Sequence, residues 1–370
     1  MQRIGLIVNP VAGLGGRVGL KGSDGVEIQK RALELGAIPL SRQRAAEALM
    51  LLQPMKNDLE LLTCPGNMGA FAATQIGFTP LVLDDFPSDQ TTGEDTKRAV
   101  HEMMQKDLSL LVFAGGDGTA RDIYSAIQAH FPCLGIPAGV KMHSAVFATT
   151  PKHAGELAKL YLDGMARLHE AEVLDLDEEA YREGKIITHL YGHLSVPYRP
   201  LLLQNQKMPS STSDTYQATA IAAEIIEQMQ TGVRYILGPG TTTRAIADAL
   251  NVEKTLVGVD VICDGRLIGK DVTQEQLISL IEAVPAQIIV TPIGGQGFLF
   301  GRGNQQIGPE VIRKVGRENI IVASTFNKLQ TLHAQPFIVD TGDTEVDTML
   351  TGYITVITGY KEHAIYRIIA

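Results

Sequence analysis

Short, continuous apolar runs alternate with helical patterns over the first 150 residues of the chain. The runs that predict strands lie at 4–8, 59–64, 81–83 and 108–113. The patterns that predict helices lie at 25–35, 42–51, 68–76, 94–106 and 120–129. Apolar runs bounded by turn residues are typical of buried strands. Their alternation with helices predicts an α/β fold with a parallel, doubly wound sheet.

The pattern changes after residue 172. Short alternating strands with polar turns are predicted at 172–177, 185–190 and 192–197, and a polar segment follows at 204–215. A second α/β pattern covers 216–331, with a helix at 216–230 and strands at 233–237, 256–261, 287–292 and 319–323. The remainder, 332–370, is rich in predicted strands.

The turn after the strand at 108–113 carries the strongest chemical signal. Residues 115–119 read Gly-Gly-Asp-Gly-Thr, and the predicted helix follows from Ala120. Glycines let the backbone approach a ligand closely, and a helix N-terminus is a natural site for phosphate. A carboxylate beside phosphate, here Asp117, is useful when it binds Mg²⁺ or takes a proton from an attacking hydroxyl. This pattern predicts a phosphotransferase, with an ordinary tight turn as the alternative.

A second polar turn is expected beside the first. Asn9 and Pro10 follow the strand at 4–8. Ligands of doubly wound sheets bind outside the carboxyl ends of the strands. The two turns are therefore expected to share one crevice.

These residues carry a family resemblance. Residues 115–119 resemble the signature of the NAD kinase and diacylglycerol kinase superfamily, and 3–13 and 135–139 resemble two of its other turns. The whole chain is similar to the longer ATP-NAD kinase-like proteins of bacteria and archaea, a group related to acetoin catabolism protein X. The resemblance covers about 1–200 and 335–370.

The resemblance implies a kinase that transfers phosphate from ATP, with Mg²⁺, to the adenosine 2′-hydroxyl of NAD. Asp117 would activate that hydroxyl. The candidate residues for phosphate or nucleotide binding are Asn9, Gly115, Gly116, Gly118, Thr119, Arg121, Lys141, His143 and Ser144. It also implies a homo-oligomer.

Several of these residues also have a structural interpretation. Asn9 in an Asn-Pro turn closes a strand, Thr119 caps a helix, and Ser144 is equally suited to a cap. Arg121 is either a phosphate contact or a solvated side chain. His143 is either a ligand contact or a packed core residue.

The chain also departs from the family pattern. Pro137 stands where NAD kinases carry an asparagine, and no convincing match is found to the Asn-Glu pair that grips their dinucleotide. The acceptor therefore stays open between NAD and another small hydroxyl metabolite, and the donor between ATP and polyphosphate. A non-catalytic regulator that binds a nucleotide or a sugar phosphate is a further alternative.

The second α/β pattern contains a turn of similar character. Gly240, Thr241, Thr242 and Thr243 lie between a predicted strand and a helix, and the turn resembles the phosphate loop of phosphosugar isomerases. It is a candidate second phosphate site, with a simple capped turn as the alternative. Typical NAD kinases lack this unit. We therefore expect an α/β kinase-like domain at 1–150, a β-rich domain at 151–215 plus 332–370, and an inserted α/β unit at 216–331.

Composition excludes several classes of protein. The formal charge is −9 and no basic cluster is present, which argues against a nucleic-acid partner but allows nucleotide substrates. The cysteines Cys64, Cys133 and Cys263 are scattered, so neither a disulfide framework nor a metal site is predicted. No apolar run is long enough to span a membrane and no leader pattern opens the chain. We expect a cytoplasmic protein without a membrane partner.

Overall fold

The computed structural model describes residues 2–20, 25–88, 91–127, 131–140, 142–176, 188–199, 202–204 and 212–370. The chain divides into two compact units, one formed by 1–15 and 22–206 and the other by 16–21 and 207–370. Among the helices of the described ranges, none is both long and apolar enough to cross a membrane.

The first unit is built on a five-stranded parallel sheet. Its strands are β1 (Gln2–Val8), β2 (Leu59–Thr63), β3 (Leu81–Val82), β4 (Leu110–Gly115) and β5 (Cys133–Pro137). Their spatial order is β3-β2-β1-β4-β5, and every neighbouring pair is parallel. The central strand β4 is buried along its whole length, as a strand covered on two faces must be, and the edge strand β5 is buried as well. The predicted doubly wound sheet is confirmed.

Six helices of the described ranges belong to this unit. They are α1 (Val26–Glu34), α2 (Ser41–Met50), α3 (Ala70–Gln75), α4 (Gly93–Met104), α5 (Asp117–Ala126) and α6 (Pro151–Leu162), with 3₁₀ turns at Gln53–Met55 and Gly66–Met68. Helix α5 begins at Asp117 instead of the predicted residue 120. The backbone of Gly116 is extended and leads directly from β4 into the helix.

A long antiparallel pair completes the first unit. Strands β6 (Arg167–Leu176) and β7 (Thr188–Tyr198) lie where three short strands were predicted between 172 and 197. Of those predictions, residues 177 and 185–187 lie outside the described residues. Val173 and Leu194 on this pair lie in the same apolar core as the strands of the parallel sheet. This packing assigns the pair to the first unit.

The second unit contains a nine-stranded mixed sheet within the described residues. Its strands are β8 (Arg234–Leu237), β9 (Asp260–Cys263), β10 (Arg266–Gly269), β11 (Ala286–Val290), β12 (Phe298–Phe300), β13 (Ile320–Ala323), β14 (Phe337–Val339), β15 (Gly352–Gly359) and β16 (Glu362–Ile369). Their order is β10-β9-β8-β11-β13-β15-β16-β14-β12. Its helices are α7 (Thr212–Glu227), α8 (Thr241–Ala249), α9 (Gln274–Leu280), α10 (Pro309–Val315), α11 (Phe326–Gln330) and α12 (Thr344–Leu350), with a 3₁₀ turn at Arg317–Asn319.

The two units group the chain differently from the expected three parts. Residues 151–206 belong to the first unit, whereas 332–370 belong to the second together with 216–331. The reason is strand pairing: β15 pairs with β13, so that Val322 lies opposite Val356, and β14 pairs with β12. The tail therefore completes the sheet of the unit that was expected to be an insertion. The α/β class, with a doubly wound N-terminal part and a sheet-rich C-terminal part, is confirmed.

Candidate active site

The strand order of the first unit defines where a ligand site is expected. The order reverses between β1 and β4, because β2 and β3 continue to one side of β1 and β5 continues beyond β4. Doubly wound sheets bind ligands at such a switch point, outside the carboxyl ends of the strands. Asn9 follows β1 there, and Gly116 and Asp117 follow β4.

Asp117 is fixed at this point by the loop that follows β5. The residue is 6% exposed. Its Oδ2 accepts a hydrogen bond of 2.7 Å from the backbone N–H of His143, and its Oδ1 accepts one of 3.0 Å from the backbone N–H of Ser144. Hydrogen bonds to an ionised group are stronger than neutral ones. The carboxylate therefore orients the loop, and the loop orients the carboxylate.

The same loop is held from its other side. The Ser144 hydroxyl donates to the carbonyl of Leu174 at 2.7 Å and accepts from the backbone N–H of that residue at 3.0 Å. Gln204 Nε2 donates to the carbonyls of Met142 and Ser144 at 3.2 and 3.1 Å. The Ser144 hydroxyl thus ties the loop to β6.

His143 is the exception in this network. The residue is 4% exposed, and neither ring nitrogen has a hydrogen-bond partner among the described residues. Its Nδ1 lies 3.4 Å from Asp117 Oδ2. An unsatisfied buried polar group costs about 1–3 kcal/mol. The backbone of His143 is firmly anchored while its imidazole is left without a direct hydrogen bond.

Asn9 and Thr119 pair with each other. Asn9 Nδ2 donates to Thr119 Oγ1 at 2.9 Å, and Asn9 Oδ1 accepts from the backbone N–H of Val11 at 3.2 Å. Thr119 is the third residue of α5, whose N-cap is Gly116, so it does not cap that helix. The contact joins the turn after β1 to the helix after β4, as the shared crevice requires.

The glycines of the motif allow close packing. A Cβ atom on Gly115 would lie 2.4 Å from Thr119 Cβ, and one on Gly139 would lie 2.8 Å from Gly116 Cα. Neither approach is compatible with a side chain. Gly118 is the second residue of α5, at the end where backbone N–H groups have no partner within the helix. The motif thus brings the turns after β4 and β5 into backbone contact.

Arg121 contacts the antiparallel pair of β6 and β7. Its Nη1 forms a 2.8 Å ion pair with Asp175 Oδ2 on β6, and its guanidinium lies 5.8 Å from the ring centre of Tyr191. The side chain keeps 39% of its surface exposed, so it is still accessible to an anion. Lys141, the remaining candidate, lies outside the described residues.

The turn predicted as a second phosphate site joins β8 to α8. Gly240 is the N-cap of α8 and has a φ of 124°, which favours glycine. The Thr243 hydroxyl donates to the carbonyl of Gly238 at 2.6 Å, so it closes the turn itself. Thr241, at the first position of the helix, is exposed.

A lysine joins this turn to the neighbouring strand. Lys328 on α11 donates from Nζ to Thr242 Oγ1 at 3.2 Å and to Thr291 Oγ1 at 3.0 Å. Thr242 follows β8, Thr291 follows β11, and α11 follows β13, and these three strands are parallel neighbours. A cation and two hydroxyls therefore meet at the carboxyl ends of three adjacent strands of the second unit.

Comparison with protein families identifies both parts of the chain. The model of the ATP-NAD kinase N-terminal domain matches residues 4–166, and the model of the ATP-NAD kinase C-terminal domain matches residues 230–368. The chain belongs to the ATP-NAD kinase family. This is a family of ATP-dependent kinases, and membership confirms the family resemblance predicted from the whole sequence.

The other two comparisons add little to this family assignment. A search of curated protein sequences finds no match. One solved structure similar to this chain is of a protein described as a diacylglycerol kinase from Bacillus anthracis strain Sterne, at 12% identity and a TM-score of 0.27. The similarity covers 64% of this chain and 58% of that one. The match thus spans less than two thirds of that protein's own length.

Three residues that contact the candidate sites of this ATP-NAD kinase family member were not predicted from the sequence. Gln204, Asp175 and Lys328 contact the candidate residues but are separated from them along the chain, by as many as 86 residues for Lys328 and Thr242. No local pattern marks them. Only Lys328 could have been proposed from the sequence, because it follows the strand predicted at 319–323. Parallel sheets bind ligands at the carboxyl ends of their strands.

Proposed function

We propose that this protein transfers the γ-phosphate of ATP to a hydroxyl group, and that this hydroxyl is the adenosine 2′-hydroxyl of NAD, so that the product is NADP. The observation that carries the proposal is the buried Asp117 carboxylate at the switch point of the sheet, held by two backbone N–H groups. Family membership supports ATP as donor and NAD as acceptor. The cytoplasmic location and the homo-oligomeric state stay predictions from the sequence.

The roles of the site residues follow from this assignment. Asp117 activates the acceptor hydroxyl, while the glycine-rich turn and the N-terminus of α5 receive phosphate oxygens. Asn9 and Thr119 fix the two turns relative to each other. Arg121 supplies positive charge to the phosphates, and a phosphate-binding role of Lys141 stays a prediction from the sequence. Ser144 positions the loop through its hydrogen bonds to Leu174.

Mg²⁺ is proposed to bind together with the ATP phosphates. Each Asp117 oxygen accepts one backbone N–H and retains a further acceptor position, so the carboxylate fits a single-ligand role. Mg²⁺ commonly takes one or two carboxylates and substrate phosphates. Within the described residues, no group of three or more His, Cys, Asp or Glu side chains is placed to hold a metal.

A second candidate function is a kinase for another small metabolite. The specific observation in its favour is the contact of Lys328 with Thr242 and Thr291 at three strand ends. Gly240 and Thr241 at the start of α8 complete a candidate site for the phosphate of a sugar phosphate or a related metabolite. Such a ligand would be either a phosphate-bearing acceptor or a regulator.

The test is transfer of label from γ-³²P-ATP, with Mg²⁺, to NAD, NADH, sugars and nucleosides offered separately, with polyphosphate as a second donor. Asp117→Asn is compared with Asp122→Asn, which removes a carboxylate from the same helix outside the motif. Label in NADP that disappears only in Asp117→Asn supports NAD kinase activity. Label on a different acceptor, reduced in Lys328→Met, supports the second candidate. Nucleotide binding without transfer to any acceptor refutes both.

A further inference from the structure

Gln204 occupies a fixed position beside the parallel sheet of the first unit. Its backbone N–H donates to the carbonyl of Phe147 at 2.9 Å, and the preceding Leu203 lies opposite Ala148 in an antiparallel bridge. The N–H of Ala148 in turn donates to the carbonyl of Gly135 on β5 at 2.9 Å. Gln204 is 3% exposed. Its side chain therefore extends from a buried backbone position that is anchored to the sheet.

The side-chain amide of Gln204 has a defined orientation. Its Nε2 lies 3.2 Å from the carbonyl oxygen of Met142 and 3.1 Å from that of Ser144. Carbonyl oxygens only accept hydrogen bonds, so the group that faces both of them is the NH₂. One buried amide therefore bonds two carbonyls of the loop that follows β5.

One of these carbonyls belongs to a peptide group that also contacts Asp117. The C=O of Met142 and the N–H of His143 form one planar trans peptide, in which the two groups point in opposite directions. The C=O accepts from Gln204, and the N–H donates to Asp117 Oδ2 at 2.7 Å. Hydrogen bonds in such a chain polarise and strengthen one another. Gln204 and Asp117 thus hold opposite ends of one peptide group.

The second carbonyl connects the same loop to β6. The C=O of Ser144 accepts from Gln204, and the N–H of the same peptide group, that of Ala145, donates to the carbonyl of Glu172 at 3.0 Å. The amide of Gln204 therefore joins the peptide group that anchors Asp117 to one that is bonded to β6. The first peptide group cannot rotate without breaking its bond to Gln204 or its bond to Asp117.

We infer that Gln204 is a positioning residue for Asp117: by holding the peptide group between Met142 and His143, it sets where Oδ2 of the carboxylate lies. The inference rests on the proposed phosphotransfer, in which this carboxylate activates the acceptor hydroxyl. A misplacement of about 1 Å can cost about 10²-fold in rate. The proposed ATP contacts are made by the glycine-rich turn and the start of α5. The effect is therefore expected in the chemical step and not in ATP binding.

The experiment removes the two donated hydrogen bonds without emptying the space. Gln204→Met keeps a side chain of similar length that cannot donate, and Gln204→Asn keeps the amide on a side chain one methylene shorter. Gln53→Met is the matched control, because Gln53 Nε2 also donates to a backbone carbonyl, that of Ile76, at 3.1 Å on the surface of the same unit. Phosphate transfer to the acceptor that wild type uses gives kcat and the KM for ATP. The value of kcat is expressed per ATP-binding site, counted by titration.

Hydrogen–deuterium exchange of the peptide covering 139–147 is measured on the same variants. This peptide contains the whole loop, and its exchange reports how firmly the loop is held whether or not phosphate is transferred. Peptides from β1 and β4 are the reference for general destabilisation. Melting temperature identifies a variant that does not fold.

In Gln204→Met we expect kcat to fall about 10- to 100-fold, because Asp117 is displaced. The KM for ATP should stay within about threefold of wild type, since the loss is confined to the transition state. The 139–147 peptide should exchange at least about fivefold faster, which corresponds to one lost neutral hydrogen bond, while β1 and β4 exchange as in wild type. Gln204→Asn should show the same changes to a smaller degree, and it decides the question if Gln204→Met does not fold. Gln53→Met should behave as wild type.

Three outcomes would overturn the inference. The first is a folded Gln204 variant whose kcat per ATP-binding site stays close to that of wild type. The second is a KM for ATP that rises as much as kcat falls. The third is exchange of the 139–147 peptide that is unchanged, or that increases no more than exchange in β1 and β4. If wild type transfers phosphate to no acceptor, the proposed function has failed, and the exchange measurement still decides whether Gln204 holds the loop that anchors Asp117.

Discussion

Replacing Asp117 by Asn removes one of the two anchors of the loop after β5. The carboxylate accepts from the N–H groups of His143 and Ser144 at 2.7 and 3.0 Å. An Asn side chain keeps one acceptor oxygen and turns an NH₂ group towards the other backbone N–H. Losing one hydrogen bond to a charged group costs about 1.5–3 kcal/mol. We expect the loop, and not the sheet, to lose that stability.

Hydrogen–deuterium exchange measures this loss directly. Each 1.4 kcal/mol is a factor of ten in an equilibrium constant, so the lost bond predicts about 10- to 150-fold faster exchange. The effect should appear in the peptide covering 139–147, which contains both N–H groups. Peptides from β1 and β4 should exchange as in wild type, because local openings are largely independent of global unfolding.

Asp122→Asn is the control for removing a charge from α5. Its carboxylate is 18% exposed and lies 4.0 Å from Lys97 Nζ on α4. If Asp117→Asn leaves exchange of the 139–147 peptide unchanged, or changes it no more than Asp122→Asn does, the proposed anchoring is refuted. If the prediction holds, part of any rate lost in Asp117→Asn comes from a displaced loop.

Two further predictions concern buried groups. In the native protein only Cys263 should react with iodoacetamide, as measured by mass spectrometry. Burial raises the pKa of the Cys64 thiol to about 12, and Cys133 is also fully buried. Labelling of Cys64 or Cys133 without denaturant would contradict this. Lys254→Met should destabilise the second unit by about 3–5 kcal/mol in urea unfolding, because it leaves Asp260, 3.4 Å away and fully buried, without its counter-ion. Lys270→Met, which breaks an exposed ion pair, should leave the transition unchanged, and equal midpoints for the two variants would disprove the reasoning.

The sequence by itself determined the elements and the chemistry of the first turn. The apolar run at 108–113 became β4, and the following Gly-Gly-Asp-Gly-Thr became its junction with α5. Strands and turns of this kind are specified by neighbouring residues, so periodicity and glycine spacing suffice to predict them. The position of Asn9 beside the motif was also predictable, since parallel strands place their carboxyl ends on one edge.

Only the tertiary structure decided which polar groups meet. Asp117 reaches residues 26 and 27 positions further along the chain, Arg121 pairs with a residue 54 positions away, and the tail completes the sheet of the second unit. Periodicity states which face of an element is buried, but not which element covers it. Those partners are fixed by sheet order and strand register, which depend on the packing of the whole core. That the buried ring of His143 has no hydrogen-bond partner among the described residues could be seen only from the tertiary structure.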